Sequence, residues 1–293
     1  MGGAFTSIRD DLAALDFNPA NFTLENSIDE IRFNLFVNPI GPFLALANRE
    51  HLENWTGAAA TVFRGFGLAL HRLHVGFLFG EESLVDSLRL SRKDPFNAKG
   101  FGKQSSTSFG FSLHLAPRVS IGAALEGLVH DGKWGKAKVG YRYGIHIRPR
   151  NNLAVGLYYF DFPDKYQEDR LVLERLEDAT MNLGISYVPF GWILIAADVR
   201  NVSDEKGAIV REPHLGMEVT PFRHISVRTG YYRSQPDAKN VFSVGVGLLD
   251  QSMFFRRGGI VAPPRWMLHS TYVVEKGPVQ TSRWLFITCL MKI

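Results

Sequence analysis

The chain has 293 residues, 45% of them hydrophobic, and a formal net charge of +4. No apolar run approaches the roughly 20 residues that a membrane-spanning helix needs, which excludes a helical membrane protein. Basic residues are dispersed, which argues against nucleic acid as a partner, and the single cysteine, Cys289, excludes an intrachain disulfide or a zinc site built on several cysteines.

The first part of the chain lacks any regular alternation of polar and apolar residues. Within residues 1–29, Asp10 to Leu15 predicts a short helical turn, and Asn18-Pro19 is a turn signal. Alternation begins with a strand predicted over 31–38. Apolar residues then recur at helical spacing over 42–55, which predicts a short helix, either inside a barrel as a plug or on its rim.

From about Gly57 to the end, apolar side chains alternate with polar or very small ones. Side chains alternate faces along a strand, and the polar face here carries Lys, Arg and Glu in mid-strand opposite aromatic residues. That combination is typical of a barrel with lipid outside and water or charges inside. The fifteen candidate strands are 31–38, 57–65, 67–80, 83–91, 106–116, 118–129, 136–148, 152–162, 178–188, 191–201, 212–220, 223–233, 240–249, 265–275 and 281–292.

Short turns containing Pro alternate with longer polar connections along this part of the chain, which is the layout of a transmembrane barrel. Since closed bacterial barrels favour even strand numbers, we predict an all-β fold: a transmembrane antiparallel β-barrel of about 14 strands. It forms one domain over 1–293, with 1–29 as a hatch or plug inside the lumen and 30–293 as the barrel. The alternative is a soluble two-sheet β protein.

The predicted location of such a barrel is the outer membrane, which requires export. The start of the chain, Met1 to Ala4, has neither the basic residues nor the apolar region of a secretory signal. We therefore expect that a signal was removed or that the start is truncated. The membrane assignment requires that Phe111, Tyr141, Val227 and Val246 face outward and form one continuous outer belt.

Residues 1–24, MGGAFTSIRDDLAALDFNPANFTL, resemble the N-terminus of the FadL-like outer-membrane superfamily, which includes long-chain fatty-acid transporters and PorV-type barrels. The residues that carry the resemblance are Gly2, Gly3, Ala4, Phe5, Asp10, Asp11, Asn18, Pro19 and Ala20. Residues 196–249 also resemble the C-terminal hairpins of such barrels. The resemblance implies fourteen strands around an N-terminal hatch, with hatch or ligand residues Asp10, Asp11, Asn18, Pro19 and Ala20.

Sequence motifs for catalysis are missing, and we expect no enzyme, no cofactor and no metal. The nine histidines are scattered: His71 and His74 are placed on opposite faces of one strand, and His130 and Asp131 are placed in a turn. Charged residues on the polar strand faces are predicted to point into the lumen, namely Glu126, Lys138, Arg142, Asp198, Arg200, Glu218 and Arg228. Because a buried charge needs a counter-charge or water, these charges either form ion pairs that fill the lumen, or line a pore or contact Asp10 and Asp11.

Glycines share the inward faces with these charges, and they give room for the N-terminal segment to pack against the wall: Gly110, Gly122, Gly140, Gly156, Gly184, Gly216, Gly230, Gly245 and Gly247. The leading functional hypothesis is a FadL-like barrel that passes or binds a hydrophobic ligand, such as a fatty acid, past its hatch. The alternatives are a PorV-like, non-enzymatic scaffold or attachment barrel that binds other envelope proteins, and the barrel portion of a longer protein. Membrane lipid is a partner in each.

Overall fold

The computed structural model of the chain describes residues 1–10, 12–24, 31–47, 62–80, 104–130, 138–161, 180–204, 211–222, 225–234, 239–248, 266–278 and 281–292. Two short 3-10 helices, Leu12–Asp16 and Pro19–Asn21, precede the first strand, and one α-helix, α1 (Gly41–Ala47), follows it. The strands of the described residues are β1 Ile31–Val37, β2 Phe63–Leu70, β3 Leu73–Gly80, β4 Gln104–Ala116, β5 Val119–His130, β6 Lys138–Arg150, β7 Leu153–Asp161, β8 Thr180–Phe190, β9 Ile193–Asp204, β10 Glu212–Phe222, β11 Ile225–Ser234, β12 Lys239–Leu248, β13 Trp266–Lys276 and β14 Thr281–Lys292.

The fourteen strands form one closed barrel in which each strand pairs antiparallel with its neighbours along the chain. The first and last strands close it through two register pairs, Phe36 with Lys292 and Val37 with Met291. Within the described residues, no helix combines the length and the apolar character needed to cross a bilayer. The predicted fold, an all-β antiparallel transmembrane barrel of about fourteen strands, is confirmed.

The period of two residues places each side chain on the inner or the outer surface of the wall. On β6, Tyr141 and Tyr143 are exposed on the outside, whereas Arg142 and His146 are buried inside. The four residues that test the membrane assignment are all outward and exposed, at 40% for Phe111, 44% for Tyr141, 40% for Val227 and 42% for Val246. Within the described residues, these apolar rows do not pack against a second layer, and the strands close into one barrel, so the soluble two-sheet alternative is wrong.

The predicted strand over 67–80 is wrong, because it contains a two-residue turn. Leu70 ends β2, His71 and Arg72 form the turn, and Leu73 begins β3. Neither turn residue is Gly, Pro, Asn or Asp, which are the usual signals of a tight turn, and His71 itself takes a φ of +53°. The prediction that His71 and His74 share a strand is therefore also wrong: His74 lies on β3 and is buried.

Other boundaries differ by smaller amounts. The strand predicted over 57–65 begins at Phe63, and residues 57–61 lie outside the described residues, as does the candidate strand 83–91. The helix predicted over 42–55 is described only as α1, since residues 48–55 lie outside the described part. His130 ends β5 and is not in a turn, and Asp131 is not described.

The outer apolar surface leads to a prediction about bilayer depth. Val244 is 42% exposed on the outer face in the middle of β12, and Leu248 is 44% exposed at the end of the same strand. We expect Val244→Arg to lower the free energy of unfolding by about 2–4 kcal/mol and Leu248→Arg by at most about 1 kcal/mol, because the penalty for Arg falls toward the interface. Urea titration of refolding into lipid vesicles measures both, and equal costs would contradict the membrane placement.

Candidate functional site: the N-terminal segment inside the lumen

The described residues of the first 24, here called the N-terminal segment, lie inside the barrel against the inward faces of the wall. The backbone N–H of Gly2 donates to Ser243 Oγ on β12 at 3.2 Å. Further along, the N–H of Leu24 donates to His74 Nδ1 on β3 at 2.9 Å. The segment therefore reaches from one side of the wall to another.

Asn18 binds both the segment and the wall through its side chain. Its side chain is fully buried, and its Oδ1 accepts from the N–H of Ala20 at 3.1 Å, which caps the second 3-10 helix. Its Nδ2 donates to the carbonyl of Thr6 at 2.8 Å and to that of Ile145 on β6 at 3.3 Å. Pro19 occupies the first helical turn, where its missing N–H leaves no donor unpaired. Asn18 thus joins two parts of the segment to each other and to the wall.

Ala20 provides the next anchor through its backbone. Its carbonyl accepts hydrogen bonds from Ser112 Oγ on β4 at 3.2 Å and from Ser120 Oγ on β5 at 2.7 Å. A Cβ on Gly122 would lie 2.5 Å from the backbone N of Ala20, closer than real Cβ contacts allow. Small inward residues on β4 and β5 are therefore required for this backbone to approach.

The same arrangement recurs along the segment. A Cβ on Gly156 would overlap the carbonyl oxygen of Thr6, and a Cβ on Gly230 would overlap the backbone N of Gly2. Gly2 also adopts a φ of +58°, which favours glycine at this position. The inward glycines that hold the segment, here called the glycine cradle, are Gly122, Gly144, Gly156, Gly216 and Gly230.

Substitution of Asn18 tests whether its side chain fixes the segment. Asn18→Asp keeps the shape and the acceptor for Ala20 but replaces the Nδ2 donor with an oxygen that faces three carbonyl oxygens, those of Thr6, Ile145 and Leu157. Leaving buried groups unpaired costs about 1–3 kcal/mol each, so we expect hydrogen exchange of the segment amides to quicken by roughly tenfold or more. Asn152→Asp, in an exposed turn, is the matched control. Unchanged exchange in the Asn18 variant would contradict the assignment.

Arg142 is the central charge of the lumen. It is 2% exposed, and its Nη2 lies 2.5 Å from Oε2 of Glu126, which is also buried. Its Nη1 lies 3.7 Å from Oδ1 of Asp16 and donates to the carbonyl of Leu15 at 3.3 Å. Asp16 Oδ1 also accepts from Ser108 Oγ on β4 at 2.6 Å. One buried arginine therefore joins β5, β6 and the first 3-10 helix of the segment.

Asp198 and Arg200, on β9, bind the backbone near the start of the segment. Asp198 Oδ2 accepts from the N–H of Thr6 at 2.8 Å, and Arg200 Nη2 donates to the carbonyl of Gly3 at 2.9 Å. These two predicted lumen charges thus bind one backbone N–H and one backbone carbonyl of the segment.

A third group of charges lies on β10, β11 and β13. Arg228 Nε donates to Glu218 Oε2 at 2.7 Å, and Arg228 Nη1 lies 2.8 Å from His269 Nδ1. Of the remaining predicted residues, Lys138 begins β6, but its side chain lies outside the described part. Asp11 as a whole lies outside the described residues. Asp10 pairs its backbone with the second half of the segment through a bridge to Phe22.

Sequence reasoning singled out the wall residues and missed several residues of the segment. Asp16 and Thr6 carried no signal because the segment has no periodicity from which the direction of a side chain can be read. No three His, Cys, Asp or Glu side chains in the described ranges are placed to hold a metal ion.

The fold is shared with the toluene transporter TodX of Pseudomonas putida, with a TM-score of 0.54, 11% identity and coverage of 100% of this chain and 95% of TodX. Two variants of the porin of Rhodopseudomonas blastica align with a TM-score of 0.40 and 9% identity, over 78% of this chain and 76% of the porin. No protein-family model matches the sequence, and no curated protein sequence does. The resemblance to FadL-like barrels is confirmed for the fold.

Proposed function

We propose that this chain is a non-enzymatic outer-membrane barrel that passes or binds a hydrophobic small molecule past its N-terminal segment, which acts as a hatch. TodX, a toluene transporter, has the same fold, and a toluene-like or fatty-acid-like molecule is the class of ligand. In this function the segment moves aside for the ligand, and the strands of the wall stay paired.

The observation that carries the proposal is an apolar cluster between the N-terminal segment and the wall, inside a lumen that also holds buried charged side chains. Phe22 and Leu24 of the segment pack with Phe36, Ala69 and Leu78 of the wall, and all five are buried. A general diffusion pore has a polar, water-filled interior. Here the hatch and the wall meet through apolar side chains. An apolar molecule can take the place of the hatch side chains and pack against the apolar part of the wall.

Displacement of a fluorescent probe tests this function. We expect 1-octanol to displace 1-aminoanthracene saturably from the purified protein in detergent. Leu24→Asn places an amide in the apolar cluster and is expected to weaken displacement by about tenfold, in line with the 1.5–3 kcal/mol gained on burying a leucine. Leu248→Asn, on the outer face, is the matched control. Absence of saturable displacement from the unaltered protein would overturn the proposal.

A fixed plug in an envelope scaffold is the second candidate, and the close packing of the segment favours it. A Cβ on Gly67 would lie 2.6 Å from Leu24 Cδ1, and one on Gly76 would lie 2.7 Å from Phe22 Cζ. Hydrogen exchange of the segment amides separates the two functions. A hatch is expected to exchange faster when 1-octanol is present, whereas a fixed plug exchanges at the same rate with and without it.

A further inference from the structure

Tyr158, Asn182 and Asn201 lie next to one another on the inner faces of β7, β8 and β9. Tyr158 and Asn182 are register partners, which places their Cβ atoms about 4.5–5.5 Å apart. The N–H of Asn201 donates to Asn182 Oδ1 at 3.0 Å. Strand pairing and this hydrogen bond therefore bring the three polar side chains together at one level of the lumen, and we call them the polar patch.

Asn201 reaches the polar patch through a β-bulge. The β9 partners of Met181 and Leu183 lie four residues apart instead of two, at Ser203 and Val199. Asn201 adopts a φ of +55°, a left-handed conformation that Asn adopts more readily than most residues. It is buried, as is the residue before it, whereas successive residues of a regular strand point to opposite faces. The bulge thus turns an extra side chain into the lumen, as bulges near binding sites do.

Each of the three side chains has a buried polar atom that lacks a hydrogen-bond partner among the described residues. These atoms are the Tyr158 hydroxyl, Asn182 Nδ2 and Asn201 Oδ1, and the three residues are 1%, 0% and 3% exposed. Buried polar groups in proteins are nearly always paired, and an unpaired one lowers stability. The polar patch therefore offers two donors and one acceptor to a group from outside the described chain.

The surroundings of the polar patch are neutral in sum and include an aromatic ring. Arg142 of β6 is paired with the buried Glu126. On β9, Asp198 and Arg200 supply one charge of each sign, and both bind the N-terminal segment. Phe160 follows on the inner face of β7 and is 1% exposed. Balanced charges and an apolar neighbour favour an uncharged ligand, because burial of an unpaired ion is far more costly.

The polar patch lies directly beside the N-terminal segment. A Cβ on Gly156 or on Gly184 would overlap Thr6 of the segment. Tyr158 and Asn182 are the next inward residues on the same two strands. A molecule bound at the polar patch would therefore rest against the segment, on the side toward the connection between β7 and β8.

We propose that the polar patch binds the hydroxyl group of an alcohol or a phenol. A hydroxyl has one donor and two acceptor lone pairs, so it can donate to Asn201 Oδ1 and accept from Asn182 Nδ2 and the Tyr158 hydroxyl. A carboxylate or a carbonyl has acceptors only and leaves Asn201 Oδ1 unpaired. The inference rests on the proposed function and specifies its ligand, a hydrophobic molecule that carries a hydroxyl and is held next to the segment.

A comparison of p-cresol with p-xylene tests the site, because the two differ only by a hydroxyl in place of a methyl group. Each displaces 1-aminoanthracene from the purified protein, and its free aqueous concentration is measured after dialysis. A purely apolar site binds the two in the ratio of their partition coefficients between water and octane. We expect the protein to favour p-cresol at least tenfold over that ratio, because octane offers no hydrogen bonds. Affinities in the partition ratio would overturn the site, and this comparison needs no variant.

Variants of the polar patch identify the groups that bind the hydroxyl. Tyr158→Phe is expected to weaken p-cresol binding about fivefold, the effect of one typical hydrogen bond, and to leave p-xylene binding unchanged. Asn201→Gly removes the acceptor but suits the left-handed backbone, and we expect a similar loss. Tyr143→Phe, at a tyrosine exposed on the outer face, is the matched control. Unchanged p-cresol binding in both inward variants would overturn the site.

Failure of the proposed function gives a different result, in which neither p-cresol nor p-xylene displaces the probe saturably. That result would overturn the function together with the site. Binding of both compounds in the partition ratio would instead keep the function and overturn the site alone, with water as the partner of the polar patch.

Discussion

Replacement of Gly156 by valine is expected to expel the N-terminal segment from the lumen and to turn a closed barrel into a conducting one. Gly156 faces inward on β7, where any Cβ would overlap the carbonyl oxygen of Thr6 and lie 2.9 Å from the Cα of Ser7. Backbone atoms cannot rotate aside as a flexible side chain can. Because valine is well suited to a strand, we expect the segment to move and the wall to stay intact.

Conductance across a planar bilayer measures this effect. The Gly156→Val variant is expected to show discrete channel openings at a voltage at which the unaltered protein stays closed, with faster hydrogen exchange of the segment amides. Gly191→Val is the matched control, since a Cβ at Gly191 would meet nothing within 4 Å. A Gly156→Val barrel that stays closed with a protected segment would show that the glycine cradle does not hold the segment.

Replacement of Arg142 by methionine is expected to destabilise the protein by about 3–5 kcal/mol. The change removes the guanidinium that lies beside the buried carboxylate of Glu126, and breaking a buried ion pair on one side costs about 3–5 kcal/mol. It also removes the contact with Asp16 of the segment. Chemical denaturation of the protein in lipid vesicles measures the free energy of unfolding.

Two comparisons show whether burial causes the effect. Lys239→Met breaks the pair with Glu275, in which the nitrogen and oxygen lie 2.9 Å apart, the lysine side chain is 30% exposed and the glutamate is buried. Because one side of this pair is open to solvent, we expect a smaller loss than for Arg142→Met, in which both partners are buried. The double variant Glu126→Gln, Arg142→Met leaves no buried carboxylate at residue 126 and is expected to be more stable than Arg142→Met alone. A double variant that is less stable by the sum of both single losses would contradict this account.

The alternation of residues was enough to predict the wall and the direction of its side chains. Arg142, between Tyr141 and Tyr143, could face only one way once the tyrosines faced lipid, because successive side chains of a strand point to opposite faces. The turn at His71–Arg72 was missed because its residue types are not those of a tight turn. A local sequence pattern does not predict which residues pair with the inward charges. The contact between Arg142 and Asp16 depends on how an irregular segment fills the lumen.

The contact between Gly2 and Ser243 joins residues that are 241 positions apart. Such a pair cannot form early in folding, since the loop between its members has to be closed first. Proteins whose contacts are this distant in sequence fold slowly. The residues of the N-terminal segment are therefore among the last to reach their final partners, after the strands that hold those partners have paired.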